Sequence, residues 1–257
     1  MTSPTYPALW GMAGRLALAM LCRRSRSFRT DSRYCIAQLK PPLRVYGKEN
    51  IPPHGSYLVT VNHYSRPGFR AWWFALAISA VLHGEVHWVV TEAWTYADAL
   101  RSHLVTPATR VLFRRAARVY GFTNMPPMPP RPGETQARAL AVRKVIRYAH
   151  QAAQPVIGLA PEGGDAEGGR LVHPPAGVGR FISHLTCLGL SILPVGAFEE
   201  GDRFCLQFGA AYGLETPVDL SPEGRDQYAS AEVMTRIAAC LPDALRGDFR
   251  SPDLIEE

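Results

Sequence analysis

Tyr57-Leu58-Val59-Thr60-Val61-Asn62-His63 decides how this chain is read. The first five residues carry no charge and are mostly β-branched or aromatic, the length and composition of a buried strand. Asn62-His63 closes the run. In α/β proteins, ligands and chemistry collect outside the carboxyl ends of the strands, which is where this histidine falls. Neutral imidazole is the natural general base near pH 7, although a lone histidine after a strand more often serves packing. Far along the chain, Val156-Ile157-Gly158-Leu159-Ala160 is a second short apolar run, and it ends in Pro161-Glu162-Gly163-Gly164. Glycines at that point permit positive φ and close ligand approach.

Strands and helices alternate around these two runs. Leu43-Arg44-Val45-Tyr46-Gly47 reads as an entry strand, followed by a turn at Ile51-Pro52-Pro53-His54-Gly55. Residues 71–82 are apolar on every side, which predicts a helix buried or facing lipid and too short to span a bilayer. Within it, Trp72, Trp73 and Phe74 read as core or membrane-facing packing residues. His87-Trp88-Val89-Val90 predicts a strand, 110–120 a basic helix, and 125–132 a proline-rich loop. At 134–153, Ala137, Leu140, Ala141, Val145, Ile146 and Ala149 fall near helical spacing. Further elements are expected as a strand at 155–160, a helix at 177–188, strands at 191–197 and 203–209, and a helix at 229–240. This alternation predicts an α/β fold with a central, mostly parallel sheet flanked by helices.

The chain has 257 residues, 47% hydrophobic and 19% charged, which suits one globular domain with at most a small appendage. A chain this long buries roughly 70–75% of its unfolded surface and needs no disulfide or metal staple. Cys22, Cys35, Cys187, Cys205 and Cys240 are scattered and never spaced Cys-x-x-Cys, as expected of reduced structural thiols. The net charge of +6 is localised. Residues 1–50 hold nine basic and two acidic residues, a net +7, which leaves −1 for all the rest. With only three lysines in the chain, this is an arginine field, suited to bidentate phosphate contacts.

Residues 8–22 form an apolar stretch that contains Arg15 and is followed by Arg23, Arg24, Arg26, Arg29 and Arg33. The stretch falls short of the roughly 20 residues that span a bilayer. Its positive charge follows the apolar run, whereas a signal peptide carries it before. A short helix lying in the membrane interface fits, its arginines directed at anionic headgroups; an ordinary packed helix is the alternative. No base-stacking or groove-reading motif accompanies the arginines, so nucleic acid is not an expected partner. The chain divides into a basic, amphipathic membrane-surface segment at 1–40, an α/β domain at 41–215 and a C-terminal helical extension of that domain at 216–257.

Other patterns are weaker. His83-Gly84-Glu85-Val86-His87 has a zinc-like spacing, but Gly84 and the strand that follows argue against the helix such a site needs. Gly177-Val178-Gly179-Arg180 lacks the third glycine of a dinucleotide fingerprint, and there is no Gly-x-Ser-x-Gly elbow. Neither a metal nor a bound cofactor is expected.

Asn62-His63 followed by Pro161-Glu162-Gly163 resembles the phospholipid/glycerol acyltransferase family, which includes the lysophosphatidate acyltransferases. Further segments match in order: Val45-Tyr46-Gly47-Lys48-Glu49-Asn50-Ile51-Pro52, more weakly Val89-Val90-Thr91-Glu92-Ala93-Trp94, and Ser191-Ile192-Leu193-Pro194-Val195-Gly196. The resemblance covers residues 43–210. It implies a glycerolphosphate-acyltransferase-like fold on the cytoplasmic face of a membrane, peripherally attached. It implies direct transfer of a fatty acyl group, with no covalent acyl-enzyme. The donor would be acyl-CoA or acyl-carrier protein as co-substrate, the acceptor a lysophospholipid or glycerol-phosphate hydroxyl. His63 would be the base, and Glu162, Gly163, Arg66 and Arg170 would serve substrate binding.

The sequence departs from the family at three points. The family reads His-x-x-x-x-Asp, whereas His63-Tyr64-Ser65-Arg66-Pro67-Gly68 ends in glycine. Pro-Glu-Gly-Thr-Arg becomes Pro161-Glu162-Gly163-Gly164-Asp165. The family's arginine after the middle strand has no counterpart in 118–124, which leaves Arg170, Arg131, or Arg114 with Arg115 to hold an acceptor phosphate. Loss of an orienting carboxylate costs about 10⁴ in kcat in a serine protease. Either Glu92, Asp98 or Asp165 supplies the carboxylate here, or the chain is a catalytically inactive lipid- or acyl-binding protein on the same fold, associated with the membrane.

Overall fold

Every residue of β2 (Tyr57–Val61) is buried, because this strand lies inside a seven-stranded sheet. The computed structural model describes residues 4–249 apart from Ala97, Pro129, Pro130, Pro132 and Asp165. The other strands are β1 (Arg44–Tyr46), β3 (His87–Thr91), β4 (Thr123–Met125), β5 (Val156–Leu159), β6 (Ser191–Glu200) and β7 (Arg203–Phe208). Their order is β1-β7-β6-β2-β5-β3-β4, and every neighbouring pair is parallel except β6 with β7. Parallel strands buried on both faces read as unbroken apolar runs, which is why β2 and β5 stood out in the sequence.

Alternate side chains of β2 enter two cores. Tyr57, Val59 and Val61 join one with Leu193, Val195, Phe204 and Leu206. Leu58 joins the other with Ile157, Leu159 and Ile192. Helices α2 (Phe28–Ile36) and α3 (Trp72–Val81) close the first; α5 (Thr135–Gln151), α6 (Val178–Cys187) and α7 (Pro222–Ala238) close the second. The apolar run at 71–82 is therefore a core helix, with Trp73, Phe74 and 76–79 buried. Helix α7 supplies Val233, Met234 and Ile237 to the core. Its buried Asp226 accepts the N–H groups of Gly177 (2.6 Å) and Arg180 (2.7 Å), satisfying donors that the start of α6 otherwise leaves unpaired.

Four elements differ from expectation, the first being α7, which begins at Pro222 rather than 229. Helix α2 follows α1 (Trp10–Leu21) inside the arginine-rich stretch. Ser27 caps it, and Phe28, Asp31, Ser32 and Cys35 form its buried face. Not all of the stretch's arginines point outward: Arg26 binds Asp31 (2.9 and 2.5 Å) and Arg29 donates to the Leu82 carbonyl (2.8 Å), both half-buried, whereas Arg33 is exposed and only reaches the Ala80 carbonyl at 3.4 Å. Helix α4 (Ala99–Tyr120) starts well before the expected 110 and carries Pro107 inside it. Strand β4 has three residues, too few to announce itself by periodicity.

His83 is exposed while His87, at the start of β3, is buried, so the zinc-like spacing is not realised on one face. The His87 ring stacks on Tyr148 (4.0 Å between centroids), and its Nε2 lies 2.9 Å from the Thr123 hydroxyl. Burial lowers its pKa from 6.5 to about 4, opposed by a backbone hydrogen bond with Gly121. The neutral ring is thus the folded form. Its contribution is complete above pH 6.5 and is lost as the pH falls toward 4, because the unfolded chain takes up the proton first. We predict that this group alone removes about 2–3 kcal/mol of stability over that interval. His87→Gln should flatten that part of the stability–pH curve, read by thermal unfolding at pH 7 and pH 4.5.

Candidate active site

Asn62 continues the sheet by its side chain. Pairing of β2 with β6 ends at Val61 opposite Val195. The Asn62 amide then takes the Ala197 N–H (2.7 Å) and donates to the Ala197 carbonyl (2.9 Å). The backbone is thereby free to leave the sheet at His63 while remaining anchored to β6. The His63 ring is half-buried and stands edge-on to Phe74, 5.6 Å between centroids.

Glu162 reaches the same point from the end of β5, the neighbouring strand. The His63 N–H donates to one carboxylate oxygen (2.5 Å), and the Val172 N–H donates to the other (3.1 Å). The residue is only 6% exposed. Burial pushes its carboxyl above the usual range, opposed by the two amide donors and the nearby His63. Both oxygens thus hold backbone, fixing where the chain bearing His63 leaves the sheet. Gly163 turns at φ 72°, and a Cβ there would stand 2.8 Å from Met128 Cγ, so the residue after Glu162 has neither the conformation nor the space for a side chain.

The loop after His63 borders a groove of about 480 Å³ lined by Ser65, Arg66, Gly68, Phe69, Arg70 and Gly168, among others. Arg66 does not offer a free charge to it. Its guanidinium is engaged bidentately by Glu199 on β6, with Nη2 2.7 Å from Oε1, and also donates to the Pro67 carbonyl (2.6 Å). Among the described residues, the exposed Arg70 side chain makes no hydrogen bond or ion pair, which leaves it as the groove's available cation. Arg170 is exposed but does not line the groove.

Two of the three carboxylates expected to replace the motif aspartate are engaged elsewhere. Glu92 faces Arg110 (3.6 Å) and Arg114 of α4. Asp98 caps α4, accepting the Arg101 N–H at 2.9 Å. Asp165 lies outside the described residues. Of the tryptophan cluster, Trp73 and Phe74 belong to the core, and only Trp72 is exposed, beside Trp94 (6.2 Å). Sequence reasoning missed Glu199. The pair Glu199-Glu200 looks like the polar close of a strand, and nothing local reveals that one of the two turns inward to an arginine far away in the chain.

Fold and site together define an α/β protein with a histidine-centred site at the carboxyl edge of a parallel sheet, beside a groove that carries an arginine. The family model described as Acyltransferase matches residues 42–197, and the chain belongs to that family. No curated protein matches the sequence. Among solved structures, the chain is similar to the crystal structure of PlsC, the 1-acyl-sn-glycerophosphate (LPA) acyltransferase of Thermotoga maritima. The TM-score is 0.50 at 16% identity, over 86% of this chain and 85% of that one. This likeness is one of fold.

Gly68 adopts φ 87°, and a Cβ there would lie 3.2 Å from Arg66 Nη1. Writing the family's aspartate back into the sequence therefore strains the loop. We predict that Gly68→Asp costs about 1–2 kcal/mol, the penalty of a left-handed conformation, lowering the melting temperature by a few degrees. Gly68→Ala, which lacks aspartate's tolerance of that conformation and its charge beside Arg66, should cost at least as much in thermal unfolding, and a neutral result for both would show that the turn is not fixed.

Proposed function

We propose that this chain transfers a fatty acyl group from acyl-CoA or acyl-carrier protein to the hydroxyl of a lysophospholipid or glycerol phosphate, with His63 as general base. The observation that carries the proposal is the placement of His63, its backbone pinned by buried Glu162 at the sheet edge beside the arginine-lined groove. Membership of the acyltransferase family supports the reaction class. The name of the similar PlsC, which acts on a 1-acyl-sn-glycerophosphate, supports the acceptor class.

In this scheme the neutral ring of His63 takes the acceptor's hydroxyl proton as that oxygen attacks the thioester carbonyl. The tetrahedral intermediate collapses, the carbon–sulfur bond breaks, and the departing thiolate receives the proton from the imidazolium. The products are an ester and a free thiol. Glu162 acts as a positioning residue through the His63 amide. Arg70 is the groove's cation for the acceptor phosphate. His63→Ala should lower acyl transfer to a lysolipid panel by at least about 10²-fold, and a wild-type rate in that variant would overturn the assignment.

Gly68 favours a second reading, a lipid- or acyl-binding protein without turnover, since the motif carboxylate that would orient the base is missing. Saturable binding of acyl-CoA with no transfer to any member of the panel would establish it.

Peripheral attachment to the cytoplasmic face of the membrane belongs to the same proposal. Among the described residues, no helix is long and apolar enough to cross a bilayer. Helix α1 exposes Trp10, Leu18 and Leu21, and α4, which packs against it, exposes Leu100, Leu104, Val111 and Leu112. Both sets fall at helical spacing, and exposed Arg15, Arg23, Arg24, Arg115 and Arg118 accompany them, a pattern suited to an anionic interface. Removing residues 1–33 would also remove part of the core helix α2, so point substitutions are the cleaner test. Trp10→Asp and Leu104→Asp should each weaken co-sedimentation with anionic vesicles; undiminished binding of both variants would refute this surface.

A further inference from the structure

The N-terminal segment and the loop after His63 meet on one carboxylate. Glu199 has a side chain only 8% exposed. It accepts from Arg66 Nε and Nη2, from the Tyr6 hydroxyl (2.6 Å) and from the Tyr64 hydroxyl (3.1 Å). Arg66 Nη2 also donates to the Pro4 carbonyl (3.2 Å). The Tyr6 ring packs against Phe69 of the loop (5.3 Å) and against Trp73 (5.1 Å) and Phe204 (6.0 Å) beneath it. Residues 4–6 therefore lie as a strap over the loop, and the chain runs from this strap directly into α1.

The attachments follow a simple geometry. Asn62 ties the start of the loop to β6 at Ala197, and Arg66 ties its middle to β6 at Glu199, two residues further along the same strand. A lone surface ion pair contributes little. This one is mostly buried and bidentate, and two phenolic hydroxyls complete its hydrogen bonding, so removing either partner leaves a charge with poor solvation. It also takes Arg66 out of the set of groups available to a ligand.

We propose that Glu199 is the positioning residue of the His63 loop, holding through Arg66 the segment that no carboxylate at position 68 holds, and that Tyr6 makes this brace depend on the docked N-terminal strap. The inference rests on the proposed function for its catalytic consequence. Its structural content can be read without any activity.

The test is Glu199→Gln, which keeps the side-chain volume but removes the charge facing Arg66. Amide hydrogen exchange should rise together at 64–70 and 5–9. In acyl transfer, kcat should fall about 10- to 100-fold, the scale of a displaced reacting group, while KM for the acyl donor changes less than about threefold. Arg66→Lys should fail to preserve activity, because a point ammonium cannot replace a planar fork. Tyr6→Phe removes a single donor and should loosen 5–9 and 64–70 in the same direction by a smaller amount; it carries the test if Glu199→Gln does not fold. Unchanged exchange at 64–70, or a looser loop with wild-type kcat, overturns the positioning role. Exchange at 64–70 that is indifferent to Tyr6→Phe overturns the dependence on the strap. A wild-type protein without any transfer activity ends the proposed function instead, and the exchange measurements then decide the brace alone.

Discussion

A carboxylate buried between the ends of two parallel strands must find donors, because desolvating an unpaired charge is far more costly than burying a paired one. Glu162 finds them in the backbone amides of His63 and Val172. That requirement links the exit of β2, the turn after β5 and the segment that leads on toward α6. The position of His63 follows from it, since the amide that satisfies Glu162 belongs to the residue whose ring is placed at the sheet edge. Asn62 completes the constraint from the other side by fastening the same exit to β6. The site is therefore held by backbone hydrogen bonds to two side chains, on three adjacent strands of the sheet.

Much of this was legible in the sequence, and the legible part has a common cause. Strands β2, β5 and β6 are buried on both faces, so burial writes a continuous apolar run into the chain. Helix α5 carries one apolar stripe and announces itself by spacing. Helix α2 does not, because its buried face includes Asp31 and Ser32; Asp31 is tolerated there by Arg26 and the Tyr120 hydroxyl, both outside the helix. The early start of α4 was hidden by Pro107, which ordinarily ends a helical reading. His63 and Glu162 could be paired from sequence through the family resemblance, and each was seen to follow a strand. Their geometry could not, since it takes the fold to show that Glu162 binds an amide of the loop. Arg66 was visible as a charge near His63, but its partner lies 133 residues away and only the β2–β6 pairing brings them together.

The arginine field of the N-terminal segment is likewise two populations. Arg26 and Arg29 satisfy a buried aspartate and a carbonyl within the protein, while Arg33 is exposed with one long contact to the Ala80 carbonyl. Arg15, Arg23 and Arg24 remain exposed beside the apolar face of α1. Net charge counted along the sequence overstates what reaches a partner, because arginine is also the residue best able to bridge a buried carboxylate. The same sorting separates Arg66 from Arg70 beside the site: one is structural, the other is exposed to the groove.

The glycine at position 68 gains a physical reason from these contacts. A carboxylate there would need a side chain on a residue at φ 87°, within reach of a guanidinium already fixed by Glu199. The Arg66–Glu199 contact and the left-handed turn at 68 occur together in the same short loop. The chain turns back toward α3 through this left-handed conformation, and glycine is the residue that adopts it at least cost. The departure from the family motif thus accompanies a different way of ordering the loop, in which the restraint comes from a neighbouring strand and from the N-terminal strap.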